Sequence, residues 1–321
     1  MNQALQIIWR RAIHLVPVAL AATFVSFLLV NLQQGNTALA VLGTSATPES
    51  IHQFDLKYGL NHSLLYRYFS WLWQALHGHL GYSYQTQQSV ASEIVQRFPV
   101  TLELICLGIF LAVITAVPAS ILAARRPMKA ADWMGRGVAM VGFSMPGFVL
   151  GPLLLLVFAV KLKIVPSVGF VPITQNLWQN LRIMILPGVA LGFAFFATYS
   201  RILRGDMVDQ LYGEEYVLTA RSKGLSEWRV LIRHVFKNSL FSFITVLGTN
   251  VGVLIGGAVV TETVFNLAGM GGLLNSSVQQ KDSPVVQGLV GVICLSVVVA
   301  NLLTDIAYLL LDPRVRYGSA H

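Results

Sequence analysis

The chain has 321 residues, of which 55% are hydrophobic and only 11% are charged, and its formal net charge is +8. Soluble globular domains carry roughly 25% charged residues, so this composition excludes an ordinary soluble domain and indicates an integral membrane protein. The apolar runs are continuous rather than alternating, which excludes a transmembrane β-barrel and favours helical spans.

Six stretches are long and apolar enough to cross a bilayer, which takes about 20 residues each. They predict an all-α, polytopic transmembrane helical bundle with spans at 12–31, 101–124, 134–160, 183–203, 238–262 and 286–311. Arg10, Arg11 and the later segment Ala38-Leu39-Ala40 also fit a cleaved signal peptide, but the first run is longer than a typical signal core. No internal repeat or linker divides the chain, so residues 1–321 are expected to form a single transmembrane domain.

The lysines and arginines are concentrated in segments on one side of the predicted spans. Most of the 22 lysines and arginines fall at the two termini and in the segments 125–136 and 201–237. Basic residues accumulate in cytoplasmic loops, so both termini are expected in the cytoplasm, with 32–100 as an extracytoplasmic segment. The basic balance is therefore explained without a nucleic-acid partner.

The segment 32–100 is rich in tyrosine and tryptophan, and 64–76 has helical spacing of its apolar residues. It can form an aromatic belt on the lipid headgroups, a lid over a transport path, or both. His77 and His79 lie in this segment, but solvated loop histidines are far commoner than ligands, so no metal site is expected. Cys106 and Cys294 fall in predicted spans and indicate packing residues.

The predicted fifth span contains Gly248, Gly252 and Gly256, spaced by four residues. Glycines at this spacing line one helix face and let another backbone approach closely. Plain helix packing and a smooth pore face are both compatible with the pattern. Glu262, near the outer end of this span, is a candidate for the transport path or its gate, or for a structural bond to a neighbouring helix.

The most charged part of the chain, 205–240, lies between two predicted spans on the cytoplasmic side. Gly213 interrupts the preceding helix, Glu215 suits a helix start, and Arg221 and Lys223 suit a helix end. Gly224 is the expected left-handed stop. Ser226 can then cap a second helix, whose apolar stripe is Trp228, Leu231, Ile232, Val235 and Phe236. This loop could dock on a partner, because its first helix is too short to be stable alone, or rest as an elbow on anionic lipid.

No phosphate-binding GxxxxGK[ST] sequence occurs in the chain, and no catalytic dyad stands out. The chain is therefore expected not to be an enzyme and to bind no cofactor itself. A membrane-embedded enzyme or an ATP-independent secondary transporter would need a polar site in the spans or inverted repeats with buried charge relays, and neither is evident.

The heptapeptide LTARSKG at 218–224 resembles the "EAA" coupling loop of ATP-binding-cassette importer permeases. Peptide permeases of this group typically read RTARAKGL, which differs from the present sequence at Leu218 and Ser222. Further stretches resemble the same group at its second span, its fifth-to-sixth connection and its C-terminus: 97–104, 260–265, 282–288, 301–305 and 311–318. Together they are similar to the dipeptide, oligopeptide and nickel permeases of the "B" subunit type.

This resemblance implies the type I importer permease fold and a place in the bacterial cytoplasmic (inner) membrane. It implies a homologous second permease subunit, one or two cytoplasmic ATPase subunits that bind ATP and Mg²⁺, and an extracytoplasmic solute-binding protein. The substrate would be a di- or oligopeptide, with nickel or another small solute as the alternative, moved by alternating access. The residues that would couple the chain to the ATPases are Glu215, Thr219, Ala220, Arg221, Lys223, Gly224 and Leu225.

The chain departs from the group's usual sequence at four places: Gln33–Asn36, His79, Ser242 and Ala268. Three of them fall on the predicted extracytoplasmic side. The departures therefore concern the substrate and the contact with the binding protein rather than the fold or the coupling loop.

Overall fold

The computed structural model describes residues 3–32, 37–43, 46–166 and 169–311. The departure at 33–36 and the C-terminal resemblance beyond residue 311 lie outside these ranges. Within them the regular structure is helical, apart from an isolated β-bridge between Tyr82 and Ser89. The helices in chain order are α1 (Gln3–Leu32), α2 (Thr37–Leu42), α3 (Pro48–Lys57), α4 (Leu64–Leu76), α5 (Val90–Arg125), α6 (Ala130–Ser144), α7 (Gly147–Leu154), a π-helical run Leu155–Lys161, α8 (Leu177–Gly213), α9 (Glu215–Ser222), α10 (Glu227–Val230), a π-helical run Leu231–Phe236, α11 (Lys237–Thr249), α12 (Val251–Phe265), α13 (Met270–Gln279) and α14 (Ser283–Leu311).

The all-helical membrane fold is confirmed. Four helical runs in the described residues are long and apolar enough to cross a membrane: Val90–Arg125, Leu177–Gly213, Glu227–Thr249 and Ser283–Thr304. Two bent helix pairs raise the number to as many as six if each pair is one span. Val16–Leu32, which covers most of the predicted first span, is a shorter apolar helix. The orientation of the termini stays a prediction.

The predicted third span, 134–160, is bent rather than straight. Asp132–Ser144 and Gly147–Lys161 meet at 106°. Pro146 stands at the bend, and Met145 before it has an extended backbone with φ −105° and ψ 108°. A residue that precedes proline is disfavoured in helical geometry, which favours the break here, whereas Pro152 and Pro187 lie inside helices.

The predicted fifth span, 238–262, is wrong in its bounds, because the structure divides it between α11 and α12. The break lies at Asn250, whose side-chain Nδ2 donates to the carbonyl of Val246 at 2.9 Å. An asparagine side chain that bonds to nearby backbone competes with the regular helix. α12 in turn forms a bent pair with α13, at 74°.

The chain separates into two compact units. Unit 1 comprises Met1–Ile8, Leu102–Leu267 and Ala300–His321. Its central element is α8, whose side chains Tyr199, Leu203 and Met207 are fully buried. α5 approaches α8 closely at Gly192, where a Cβ atom would lie 2.6 Å from the carbonyl oxygen of Gly108. Small residues allow such backbone contact between apolar helices.

Unit 2 comprises Trp9–Thr101 and Ala268–Val299 and contains the predicted extracytoplasmic segment. The Asp282 carboxylate accepts from the Ser83 hydroxyl and, at 3.0 Å, from the backbone N–H of Tyr84. The hydroxyls of Thr23 on α1 and Tyr68 on α4 are hydrogen-bonded at 3.0 Å. Part of the segment 32–100 is therefore a folded structure attached to α1 and to the start of α14. The prediction of one transmembrane domain is not tested by this division.

Candidate coupling site

The break predicted at Gly213 is confirmed, and α9 begins two residues later. Gln210, on the last turns of α8, holds the loop in place. Its Nε2 donates to Asp206 at 2.8 Å and to the Ser239 hydroxyl at 3.0 Å, and its Oε1 accepts from the Tyr216 hydroxyl at 2.6 Å. One amide therefore connects α8, α9 and α11.

The short helix α9 has an inner and an outer face. Val217 and Ala220 are buried against the rest of the chain. Glu215, Leu218, Thr219 and Ser222 are exposed at the i, i+3, i+4, i+7 spacing of one helix face. The small size of Ala220 is thus explained by packing inside its own chain. Leu218, an apolar side chain that is 63% exposed, was absent from the predicted coupling residues, although it is the apolar position on the outer face.

The corner after α9 has the hydrogen bonds of a Schellman motif. The N–H of Gly224 donates to the carbonyl of Arg221 at 2.9 Å, and that of Leu225 to Ala220 at 3.3 Å. Gly224 has φ +76°, so the predicted left-handed stop is confirmed. A Cβ atom at Gly224 would meet open space, so the backbone conformation rather than crowding requires glycine here. Lys223 and Leu225 flank the corner, exposed and half-buried respectively.

The second helix differs from the prediction at its start and in its apolar stripe. Ser226 stands at the N-cap, but its side chain makes no capping hydrogen bond. An ion pair of 3.0 Å between Arg221 and Glu227 crosses the corner instead. The helix turns π-helical over Leu231–Phe236, and the buried residues are Val230, Leu231 and Val235. A π-helical turn holds more residues than an α-helical one, which rotates the stripe and leaves Trp228 48% exposed.

A buried ion-pair cluster joins α6 to α8, and the sequence analysis did not predict it. Asp132 at the start of α6 accepts two hydrogen bonds from Arg204 of α8, at 2.6 and 2.8 Å. It accepts further bonds from Arg136 and from the backbone N–H of Met128, both at 2.9 Å. The Asp132 side chain is 1% exposed. The sequence shows that Asp132 lies in a basic loop, but it does not show that its partner is Arg204, 72 residues away.

The three predicted glycines do not share one helix face, because Gly248 lies on α11 and the other two lie on α12. At Gly248 a Cβ atom would lie 1.7 Å from Cγ2 of Thr304 on α14, whereas Gly256 faces open space. Gly252 is partly buried and Glu262 is fully buried. Close packing is therefore observed at Gly248, and a role for Gly252, Gly256 or Glu262 in the transport path stays a prediction.

Replacing Gly248 by alanine is expected to lower the stability of the protein by about 1–3 kcal/mol, the usual effect of overpacking. The added methyl group has to displace the Thr304 side chain. Gly256→Ala is the matched control and is expected to have little effect, because nothing lies within 4 Å. Thermal unfolding in detergent measures the difference, and Thr304→Ala should partly restore Gly248→Ala. Equal melting temperatures for the two alanine variants would contradict the packing at Gly248.

Comparisons with known proteins show the family of the chain. Residues 116–317 match the family described as "Binding-protein-dependent transport system inner membrane component", and residues 4–105 match its N-terminal companion. A Brucella abortus (strain 2308) protein, provisionally named a peptide transport system permease protein, is 36% identical over 97% of this chain and 99% of its own.

Two relatives come from Escherichia coli. The glutathione transport system permease protein GsiC of strain O6:H1 is 35% identical, over 96% of this chain and 98% of its own. The dipeptide transport system permease protein DppB of strain K12 is 33% identical, over 98% and 99%. A crystal structure of an amino acid ABC transporter covers 70% of this chain and 94% of its own, at 17% identity and a TM-score of 0.49. The chain is therefore a membrane permease that belongs to the family of binding-protein-dependent transport system inner membrane components.

Proposed function

We propose that this chain forms one half of the translocation path of a peptide importer in the bacterial cytoplasmic membrane. Relatives that align over nearly its whole length are named for peptide, glutathione and dipeptide transport. These three substrates share peptide bonds and a free carboxylate, which makes a short peptide the substrate class that best fits this chain. A related second permease subunit supplies the other half of the path, which runs past Gly252, Gly256 and Glu262 of α12.

The observation that carries the proposal is the outer face of α9. It presents Glu215, Leu218, Thr219 and Ser222 to solvent, next to a corner fixed by Gly224. At this corner the Nε of Arg221 is buried and has no hydrogen-bond partner among the described residues. An exposed apolar side chain on a short helix suits a protein surface that supplies an apolar groove.

The partner at this surface is proposed to be a cytoplasmic ATPase subunit that binds ATP and Mg²⁺, since the chain has no phosphate-binding loop of its own. Closure of the ATPases would pull α9, and the Gln210 hydrogen bonds would pass this movement to α8 and α11. The helices would then alternate between inward- and outward-open arrangements. An extracytoplasmic solute-binding protein would deliver the peptide.

Reconstitution of the chain with its second permease, ATPases and binding protein tests this function. We expect uptake of labelled dipeptide into proteoliposomes only when ATP and Mg²⁺ are present on the cytoplasmic face. Proteoliposomes that contain an ATPase variant unable to hydrolyse ATP are the control and should take up none. Full uptake by the permeases without ATPase subunits would overturn the proposal, and ATP-driven uptake of nickel but not of any peptide would overturn the substrate class.

A further inference from the structure

A cavity of about 440 Å³ lies wholly within unit 2. Its wall is built by α1, α3, α4, the segment 80–84 and the first turns of α14. The volume falls in the range of about 300–1,000 Å³ that is usual for small-molecule sites. The coupling loop and the predicted pathway helix α12 contribute no residue to it, so the cavity needs an explanation of its own.

Two hydrogen-bond donors in the wall of this cavity are unused. Nε1 of Trp71 and Nε2 of Gln287 are buried and have no hydrogen-bond partner among the described residues. Gln287 is only 6% exposed. The two side chains belong to one surface, because a Cβ atom at Gly291, one turn beyond Gln287, would lie 3.6 Å from the Trp71 ring. A buried donor without a partner costs about 1–3 kcal/mol, so an acceptor that reached this pair would relieve that cost.

The charge of the wall selects an anionic acceptor. Lys57 and Arg67 line the cavity, and no aspartate or glutamate is among its described lining residues. Asp55 and Asp282 are not in the lining, although they act electrostatically on Arg67 and Tyr84. Arg67 precedes Trp71 by one helical turn on α4, so the guanidinium and the indole N–H lie on the same helix face. Burial raises the pKa of Tyr84, which also lines the cavity, to about 12. A tyrosine phenol is protonated at neutral pH even at its ordinary pKa of about 10, so Tyr84 adds a donor rather than a negative charge.

The orientation of α4 favours a water-soluble ligand over a lipid headgroup, because the cavity lies on its polar face. Arg67, Ser70, Trp71 and Gln74 line it and share one face of α4 through i, i+3, i+4, i+7 spacing. The opposite face of α4 exposes large apolar side chains: Leu65, Phe69, Trp73 and Leu76. An amphipathic helix beside membrane spans places such a face in the lipid interface. The cavity then opens on the aqueous side of α4.

From this arrangement we infer that the cavity binds the terminal carboxylate of a short peptide, an inference that rests on the proposed peptide transport. The carboxylate accepts charge-assisted hydrogen bonds from Arg67 and neutral ones from Trp71 and Gln287. The aromatic walls, which include Tyr58 and Phe27, contact the peptide side chains without selecting among them. The site holds a peptide on the extracytoplasmic side of the permease, before the translocation path.

Binding of the dipeptide Ala-Phe to the complete transporter, in phosphatidylcholine nanodiscs without binding protein, tests the inference. We expect saturable binding that is at least about tenfold weaker for the C-terminal amide of the same dipeptide. Arg67→Gln should weaken binding about tenfold, and Trp71→Phe, which removes the indole N–H but keeps an aromatic ring, should weaken it several-fold. Trp73→Phe on the opposite face of α4 is the matched control and should bind as the unmodified protein does.

Three results would overturn the inference: equal affinity for the dipeptide and its amide, unchanged affinity in both Arg67→Gln and Trp71→Phe, or loss of dipeptide binding when phosphatidylglycerol is added to the nanodiscs. The last would assign the cavity to a lipid headgroup, and displacement by inorganic phosphate without any dipeptide binding would assign it to a free anion. ATP-driven uptake in the same preparation, with binding protein added, separates the two proposals. If the transporter takes up dipeptide but the binding assay contradicts the cavity site, this inference alone is overturned. If the transporter takes up no peptide, the proposed function is overturned and this inference with it.

Discussion

Replacing Gly224 by aspartate is expected to abolish ATP-driven uptake while leaving the protein in the membrane. Gly224 has φ +76° and ends α9. A non-glycine residue in this conformation costs about 1–2 kcal/mol, and aspartate tolerates it better than most residues. The chain itself offers open space at this position, so the added carboxylate projects from the corner that is proposed to dock on the ATPase. Binding of the ATPase, rather than folding, should fail.

Uptake of labelled dipeptide, copurification of the ATPase and the amount of permease in the membrane should be measured together. Gly224→Ala is the matched control, since it carries the backbone strain with little bulk and no charge, and it should retain most of the uptake. If the alanine variant lost as much uptake as the aspartate variant, backbone strain would explain both. Full uptake by Gly224→Asp would show that the corner has no coupling role.

Replacing Asp132 by asparagine is expected to destabilise the protein by about 3 kcal/mol. Removal of one partner from a buried ion pair typically costs about 3–5 kcal/mol, because the remaining charge is left without compensation. The lower end of this range of destabilisation applies here, because the Arg136 side chain is 43% exposed and water compensates part of its charge. The Arg204 side chain is only 19% exposed and loses more. The start of α6 should separate from α8, which also carries α9, so uptake should fall as well.

Thermal unfolding of the purified complex in detergent measures this effect. Asp209→Asn, an exposed position on the same helix α8, is the matched control and should stay within about 0.5 kcal/mol of the unmodified protein. The double variant Asp132→Asn with Arg204→Met should lose less than the sum of the two single variants, since contacting residues are not additive. Strict additivity would mean that the two side chains do not stabilise one another.

The local features of the coupling loop were largely predictable from the sequence. Gly224 ends α9 because glycine has no side-chain penalty at φ +76°, whereas Gly213 is the last residue of α8 and the chain leaves the helix at Glu214, which has an extended backbone. In each case the signal and its consequence lie within a few residues of one another, so no knowledge of the packed structure was needed.

The class of protein, the approximate spans and the corner of the coupling loop could be read from the residue order alone, because composition, continuous apolar runs and single glycines act locally. The packed structure was needed to show that Val217 and Ala220 face inward while Leu218 faces out, that Asp132 pairs with Arg204, and that Trp71 and Gln287 line one cavity. These relations join residues far apart along the chain. Their energies depend on distance and burial in the folded molecule, which the order of residues does not state.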